Sequence, residues 1–289
     1  MKSKKQFKTL AALLAILIAA ILGHFQTTQP EPMLSIPENG ALISFVDVGQ
    51  GDCTLAMLPD GKVMLIDCGE YDYRHEVANY LDSMGVTTID YLISTHPHTD
   101  HMGGMAYIID EFNVSAFYMP DAVSTTTAFE KMLLALSKKS ITPQIVSEGD
   151  VIFQTESTSC TVLSPVHSEY DDINNASVVV KLRIGEKSFL FMGDAEHYAE
   201  RQITQNVDAD VLKIGHHGSS GSTSQEFFGR VSPQMAVISC GKDNPYGHPH
   251  REIIELLESN KISYYRTDTD GTITMVCDGK NIEVSTQNQ

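Results

Sequence analysis

Tryptophan is absent, and the 289 residues include only 20 lysines and arginines against 37 aspartates and glutamates. Without indoles, Phe, Tyr and the aliphatic residues of a 42% hydrophobic fraction must fill the core. That length and fraction suffice for one large α/β domain or two small ones. A net charge of -17 excludes a protein that coats nucleic acid with basic surface. A polyanion binds such a body only where bound cations supply local attraction. None of the five cysteines (Cys53, Cys68, Cys160, Cys240, Cys277) falls in a CxxC, which excludes a thiolate zinc site. Asp60-Gly61 reads as a two-residue hairpin turn. That register places Cys53 opposite Cys68, a pair open to oxidation outside a cell; the plainer reading is two small buried neighbours.

Long apolar runs are also scarce. One occurs, Leu10 to Leu22, behind Lys2, Lys4, Lys5 and Lys8. Its helix would rise only ~20 Å, short of a ~30 Å hydrocarbon core. Residues 1–25 are therefore expected to be a signal peptide or signal anchor and residues 26–39 a tether. Residues 40–289 are then extracellular or at the outer face of the cytoplasmic membrane, with membrane contact only through the N-terminal segment.

From Ala41 short apolar runs alternate with amphipathic segments. ALISFVDV, CTLAML, KVMLID, DYLIST, VSAFYM, CTVLS, SVVVKLRI, SFLFMG, ADVLKI, MAVIS, ISYY, TITMV and IEV read as strands. Helical spacing marks Tyr73–Met84, Met105–Phe112, Thr126–Lys139, Glu196–Thr204 and Pro249–Glu258. Hairpins mixed with β-α-β units predict two mixed sheets packed face to face with helices outside.

The strongest chemical signal is His96-x-His98-x-Asp100-His101 before Gly103-Gly104, directly after YLIST. The spacing is not that of a helix face. Histidines two apart in extended chain point to one side, so His96 and His98 can grip one metal. Asp100 and His101 can then reach a second metal ~3.5–4 Å away. The glycines let backbone pass close behind the ligands. Asp194 ends an apolar strand, where a carboxylate needs a cation or a helix N-terminus to meet it.

HxHxDH stands with Asp47-Val48-Gly49-Gln50-Gly51-Asp52, Leu65-Ile66-Asp67-Cys68-Gly69, Asn174-Asn175-Ala176-Ser177, Phe191-Met192-Gly193-Asp194, Lys213-Ile214-Gly215-His216-His217-Gly218-Ser219 and Tyr246-Gly247-His248-Pro249-His250. That ordered set, over residues 41 to 280, resembles the metallo-β-lactamase-type domain at the C-terminus of ComEC-type DNA-uptake proteins. The resemblance implies an αββα sandwich of the α/β class for residues 40–289 and a hydrolase using two divalent metal ions, Zn²⁺ or Mn²⁺. It makes Asp194 the bridging carboxylate, and one of His216 and His217, left open, the completing ligand of the second site. Asp67 becomes a residue that orients the histidine loop. Asp52, Asn175 and Ser177 become residues behind the ligands or beside substrate; the Ser219 hydroxyl is open to two readings, a donor to a bound oxyanion beside the ligands or a structural cap. Many members carry a third histidine for the first site. Only His167 lies in that interval, and Asn174-Asn175-Ala176-Ser177 occupies the matching place, which favours a looser site or Mn²⁺.

The resulting expectation is a phosphodiesterase or nuclease acting outside the cytoplasm. Metal-activated hydroxide is its nucleophile, Asp100 stands beside that hydroxide, and His248 and Lys213 steady the leaving side. DNA is the nominated substrate. Two alternatives stay open: a hydrolase of another ester, such as a cell-wall phosphorylcholine ester or a lactone, and a non-catalytic, metal-stabilised binding module.

Overall fold

Most inner strands of the two large sheets carry apolar side chains on both faces, and alternation along them decides which core each side chain enters. The computed structural model describes residues 36–37 and 40–288; the predicted signal segment (1–25) lies outside them, as does all of the predicted tether (26–39) but residues 36–37. One sheet has eight strands in the order Ile282–Thr286, Ile273–Cys277, Ala41–Phe45, Thr54–Met57, Val63–Ile66, Tyr91–Ile93, Phe117–Met119 and Gln144–Ile145. The other has seven: Ser263–Arg266, Met235–Ile238, Val211–Lys213, Lys187–Phe191, Val179–Ile184, Thr158–Ser164 and Val151–Gln154.

Odd and even positions separate cleanly. Ile43, Phe45, Met64, Ile66 and Ile93 of the first sheet meet Val180, Leu182, Phe189, Phe191 and Val237 of the second in one inter-sheet core. Leu55, Leu65 and Leu92 point the other way, under helices Arg74–Ser83, Met105–Glu111 and Thr127–Lys138. Leu190, Leu212 and Ile238 do the same under helices His197–Gln202, Gln225–Val231 and Arg251–Ser259. The four layers are helix, sheet, sheet, helix, the expected αββα sandwich. Among the described residues no helix is long and apolar enough to cross a membrane.

Several boundaries agree with the periodicity to within a residue or two. Thr126 caps its helix by accepting from Phe129 N at 3.3 Å. Gly85, at φ 73°, follows the helix that ends at Ser83. The hairpin Val179–Ile184/Lys187–Phe191 turns at Gly185-Glu186 as read.

Two details are corrected. The hairpin at Asp60-Gly61 pairs Met57 with Val63 and Thr54 with Ile66, one residue off the expected register. Pro59 has no N–H to close a two-residue turn, so Leu58 N donates to Lys62 O instead (2.8 Å) and Gly61 takes φ 81°. Cys68 therefore does not sit opposite Cys53, and all five cysteines are buried free thiols. The second correction concerns the histidine cluster. Thr99–Met102 forms one helical turn preceded by extended His98, so Asp100 and His101 do leave from helical backbone. The helix Gln225–Val231, capped by Ser224, was not read from the sequence.

Phe189 is fully buried and stacks on Phe191 at 6.4 Å in the inter-sheet core. Phe189→Ala is expected to destabilise the protein by about 3–5 kcal/mol in urea unfolding; a loss below about 1 kcal/mol would show that the sheets do not depend on that contact.

Candidate metal centre

Parallel pairing explains why the polar loops meet. Val63–Ile66 runs parallel to Tyr91–Ile93, and Lys187–Phe191, Val211–Lys213 and Met235–Ile238 run parallel to one another. Their carboxyl ends deliver Asp67, His96–His101, Asp194, His216–His217 and the Ser239–His250 segment to one end of the sandwich, where open sheets of this kind place ligands. Asp52 arrives there too, because its strand starts antiparallel to the end of Val63–Ile66. Close backbone approach holds the loops: a Cβ on Gly51 would lie 2.4 Å from Asp100 O, and one on Gly104 2.5 Å from Cys68 O.

Asp194 is the hub. Its Oδ1 lies 3.1 Å from His101 Nε2, and its Oδ2 lies 3.7 Å from His96 Nε2 and 3.6 Å from His217 Nε2. His96 Nε2 and His98 Nδ1 converge to 3.0 Å. Two groups result among the described residues: His96, His98 and Asp194, and a second around His101, Asp194 and His217. Asp52 lies within reach of the second group, but its Oδ2 sits on Lys213 Nζ (2.9 Å) and its Oδ1 faces His217 Nδ1 (3.4 Å), the ring edge turned from Asp194. Asp100 Oδ2, 3.2 Å from His217 Nε2, is the carboxylate on the ligand side.

The residues behind these groups fix their orientation. Asp67 accepts from Thr95 N (2.9 Å), Thr95 Oγ1 (2.7 Å) and His101 Nδ1 (2.8 Å), so His101 presents Nε2 to Asp194. His217 Nδ1 donates to Ser239 O at 3.0 Å, which presents its Nε2 likewise. Ser177 Oγ accepts from Asp194 N (3.1 Å) and lies 3.4 Å from His96 Nδ1. His216 and His217 both adopt left-handed backbone, φ 49° and 53°, costing about 1–2 kcal/mol each. His216 N–Gly193 O (3.0 Å) and Ser219 N–His216 O (2.8 Å) hold that turn.

Burial opposes charge throughout; it prevails at His96, whose pKa falls, and at Asp67, whose pKa rises, while at Asp194, His101, His217 and Asp100 the neighbouring charges override it. The imidazoles of His101, His217 and His96 hold the buried Asp194 carboxyl well below the usual carboxylate range. Despite its own burial, His101 is driven well above the ordinary imidazole value by Asp194, Asp67 and Asp100. Likewise Asp194, Asp100 and Asp52 push His217 up to about 10. Asp100 is held at about 2, chiefly by His101 acting against desolvation. A divalent cation replaces the protons of such imidazoles. His101 Nε2 and Asp194 Oδ1 are buried without a hydrogen-bond partner although they face each other, and imidazoles with carboxylates suit Zn²⁺ or Mn²⁺; the residues fit a metal.

Other expected residues sit elsewhere. His216 flanks the hub with Nε2 3.7 Å from Asp194 Oδ2, but its Nδ1 is on Glu196 and its side chain is 23% exposed; His217 is the buried member of the pair. Lys213 is 2% exposed and bound to Asp52 behind His217, which removes it from the leaving side where the sequence reading put it. Asn175 Oδ1 accepts from Glu196 N and Ala199 N, capping a helix start and not facing a metal. Ser219 Oγ accepts from Gly221 N within its own turn. His167 lies on Gln202, away from the cluster. His248 lines the cleft; burial and the His217, His216 and His250 rings lower its pKa to about 4. Thr95, Ser239 and Glu196 were missed. Thr95 was signalled only by its place before His96, and the Ser239 carbonyl has no side-chain signature.

The cleft over these groups has a volume of about 540 Å³ and is lined by Gln50, His98, Asp100, Asp194, His217 and His248, among others. Residues 46–242 match the Metallo-beta-lactamase superfamily. The chain belongs to that superfamily. It has a hydrolase-like fold with a metal-binding site. It is 33% identical over 251 residues to ComE operon protein 3 of Bacillus subtilis, covering 80% of this chain and 32% of that protein. Competence protein ComA of Neisseria gonorrhoeae is 26% identical over 258 residues, 88% of this chain and 34% of ComA. Recombination protein 2 of Haemophilus influenzae is 29% identical over 241 residues, 80% of this chain and 28% of that protein, and the three names agree with the ComEC resemblance. The superfamily member thus spans about a third of the length of each of these relatives. Among solved structures, the metallo-beta-lactamase fold protein YhfI from Bacillus subtilis has a TM-score of 0.54 at 12% identity, covering 78% of this chain and 96% of YhfI. CmlA, a diiron β-hydroxylase from Streptomyces venezuelae, has a TM-score of 0.52 at 18% identity, covering 82% of this chain and 53% of CmlA. At those identities the likeness is one of fold.

Asp67→Ala frees His101 Nδ1 and is expected to weaken Zn²⁺ or Mn²⁺ binding about 10–100-fold by calorimetric titration, with circular dichroism unchanged. Lys213→Met leaves the buried Asp52 carboxylate with only the His217 ring beside it, and is expected to cost about 3–5 kcal/mol in urea unfolding. Adding Asp52→Asn should recover most of that loss, and a double variant no more stable than the single would refute the pairing.

Proposed function

We propose that this superfamily member is a phosphodiesterase whose substrate is DNA and which acts outside the cytoplasm. The observation that carries the reading is the gathering of Asp194, four imidazoles and Asp100 at the floor of one open cleft. When bound there, Zn²⁺ or Mn²⁺ ions supply Lewis acidity toward a phosphoryl oxygen and lower the pKa of water. His96, His98 and Asp194 would hold one ion, and Asp100, His101, His217 and Asp194 the other. The names of the relatives, competence and recombination proteins, support nucleic acid as the ester. The basic start and apolar run of residues 1–25 support export.

The chain's own groups have distinct duties. Asp100 stays ionised and is 25% exposed, so its carboxylate accepts a water O–H in the cleft. Asp67 and Ser239 O keep His101 and His217 in the tautomers that leave Nε2 toward Asp194. With its pKa at about 4, His248 is neutral at pH 7 and offers a leaving oxygen one N–H and no positive charge. Its Nδ1 is buried without a partner, so donation falls to Nε2.

A second reading, hydrolysis of a smaller ester, is favoured by the carboxylates that surround the cleft. The full chain supplied with Zn²⁺ or Mn²⁺ is expected to cleave bis-p-nitrophenyl phosphate and DNA. Asp100→Ala should lower kcat by about 10²–10⁴. Turnover of the small diester without DNA cleavage would move the substrate to the second reading, and no hydrolysis of either would refute a phosphodiesterase.

A further inference from the structure

The cleft is poorly equipped to hold a phosphate chain by charge. A cavity of about 1130 Å³ shares Gln50, Thr99, Asp100 and Tyr246 with it, and its walls carry Asp47, Glu70, Asp72, Glu76, Asp243 and Asp268 against one basic residue, Lys242. On the other side, a cavity of about 850 Å³ reached past Ile173 is lined by Asp121, Asp171 and Asp172, with no lysine or arginine. Nucleic-acid binding through phosphates needs such residues. A substrate held here must be gripped through another of its parts.

Tyr246 offers that grip. It lines both the cleft and the larger cavity, yet 63% of it is exposed. Its ring stacks on His248 at 5.6 Å and 22°, and His248 in turn lies 6.3 Å and 29° from His217. One ring face is thus backed by a pile of imidazoles that ends at the hub. The loop is fixed from both sides. Asn244 Oδ1 accepts from Tyr246 N (3.2 Å) and His248 N (3.0 Å), while Asn244 Nδ2 donates to Gly241 O (2.8 Å) and His248 O (2.6 Å). His250 Nε2 donates to Tyr246 O (3.2 Å), and its Nδ1 accepts from Ser220 N (2.9 Å). An exposed aromatic so well anchored loses little freedom when a planar group lies on it.

We infer that Tyr246 is the platform on which an unpaired nucleobase of the substrate stacks, fixing the adjacent phosphodiester over the metal centre. The inference rests on the nuclease reading and narrows it to single-stranded nucleic acid without base-edge readout, since every base has a π-face while a duplex hides its own. Tyr246 is a specificity-determining residue in this scheme and makes no contact with the reacting atoms.

The test uses the full chain with Mn²⁺ and two labelled single strands with phosphorothioate backbones, one of adenosines and one abasic. Binding is read by fluorescence anisotropy, and bis-p-nitrophenyl phosphate hydrolysis is measured in parallel. The adenosine strand is expected to bind about tenfold tighter than the abasic one. Tyr246→Ala should erase the difference and Tyr246→Phe should keep it. Equal binding of the two strands, or a preference that survives Tyr246→Ala, overturns the inference even if the small diester is cleaved. Failure to cleave the diester refutes the hydrolytic reading alone, because anisotropy still decides whether Tyr246 carries a base.

Discussion

A carboxylate buried among imidazoles is the constraint on which this molecule turns. Asp194 is 1% exposed, and a charge at that depth is tolerable only where opposite charge or a cation is close on several sides. His96, His101, His216 and His217 all place a ring nitrogen within 3.7 Å or less of its oxygens. Each of those rings then needs a partner on its far edge, and Asp67, Ser239 O, Glu196 and Ser177 provide them. Lys213 and Asp52 add a neutral pair behind His217. These groups form one network radiating from a single carboxyl group.

The surrounding sandwich is what makes the network possible. The inner strands give most of their length to the apolar cores, and the residues of the polar cluster follow their carboxyl ends. Parallel register brings those ends level. The strained backbone at His216 and His217 belongs to the same logic, since two adjacent side chains can face the hub and its rim only if the chain coils tightly there.

Much of this was legible in the residues. Period-two apolar runs marked the strands, Gly85 and Thr126 marked helix ends, and HxHxDH with Asp194 and the His216-His217 pair marked the centre. What escaped depends on facts that adjacency does not carry. The hairpin register hung on the missing N–H of Pro59. The choice between His216 and His217 hung on which ring finds the Ser239 carbonyl, a contact from a neighbouring strand. Lys213 looked available for catalysis because its partner, Asp52, is distant in sequence. Asn175 stands in the segment that replaces a third histidine, and only the fold shows its amide oxygen committed to two backbone N–H groups.

The hub is supplied by both sheets. Asp67 and the His96–His101 segment hang from one, Asp194 and His217 from the other, and the apolar core lies between them. Apolar contacts tolerate small sliding of one layer on another, whereas a carboxylate and imidazoles fixed about a common point do not. The centre therefore works as a clasp that sets the lateral alignment of the two halves.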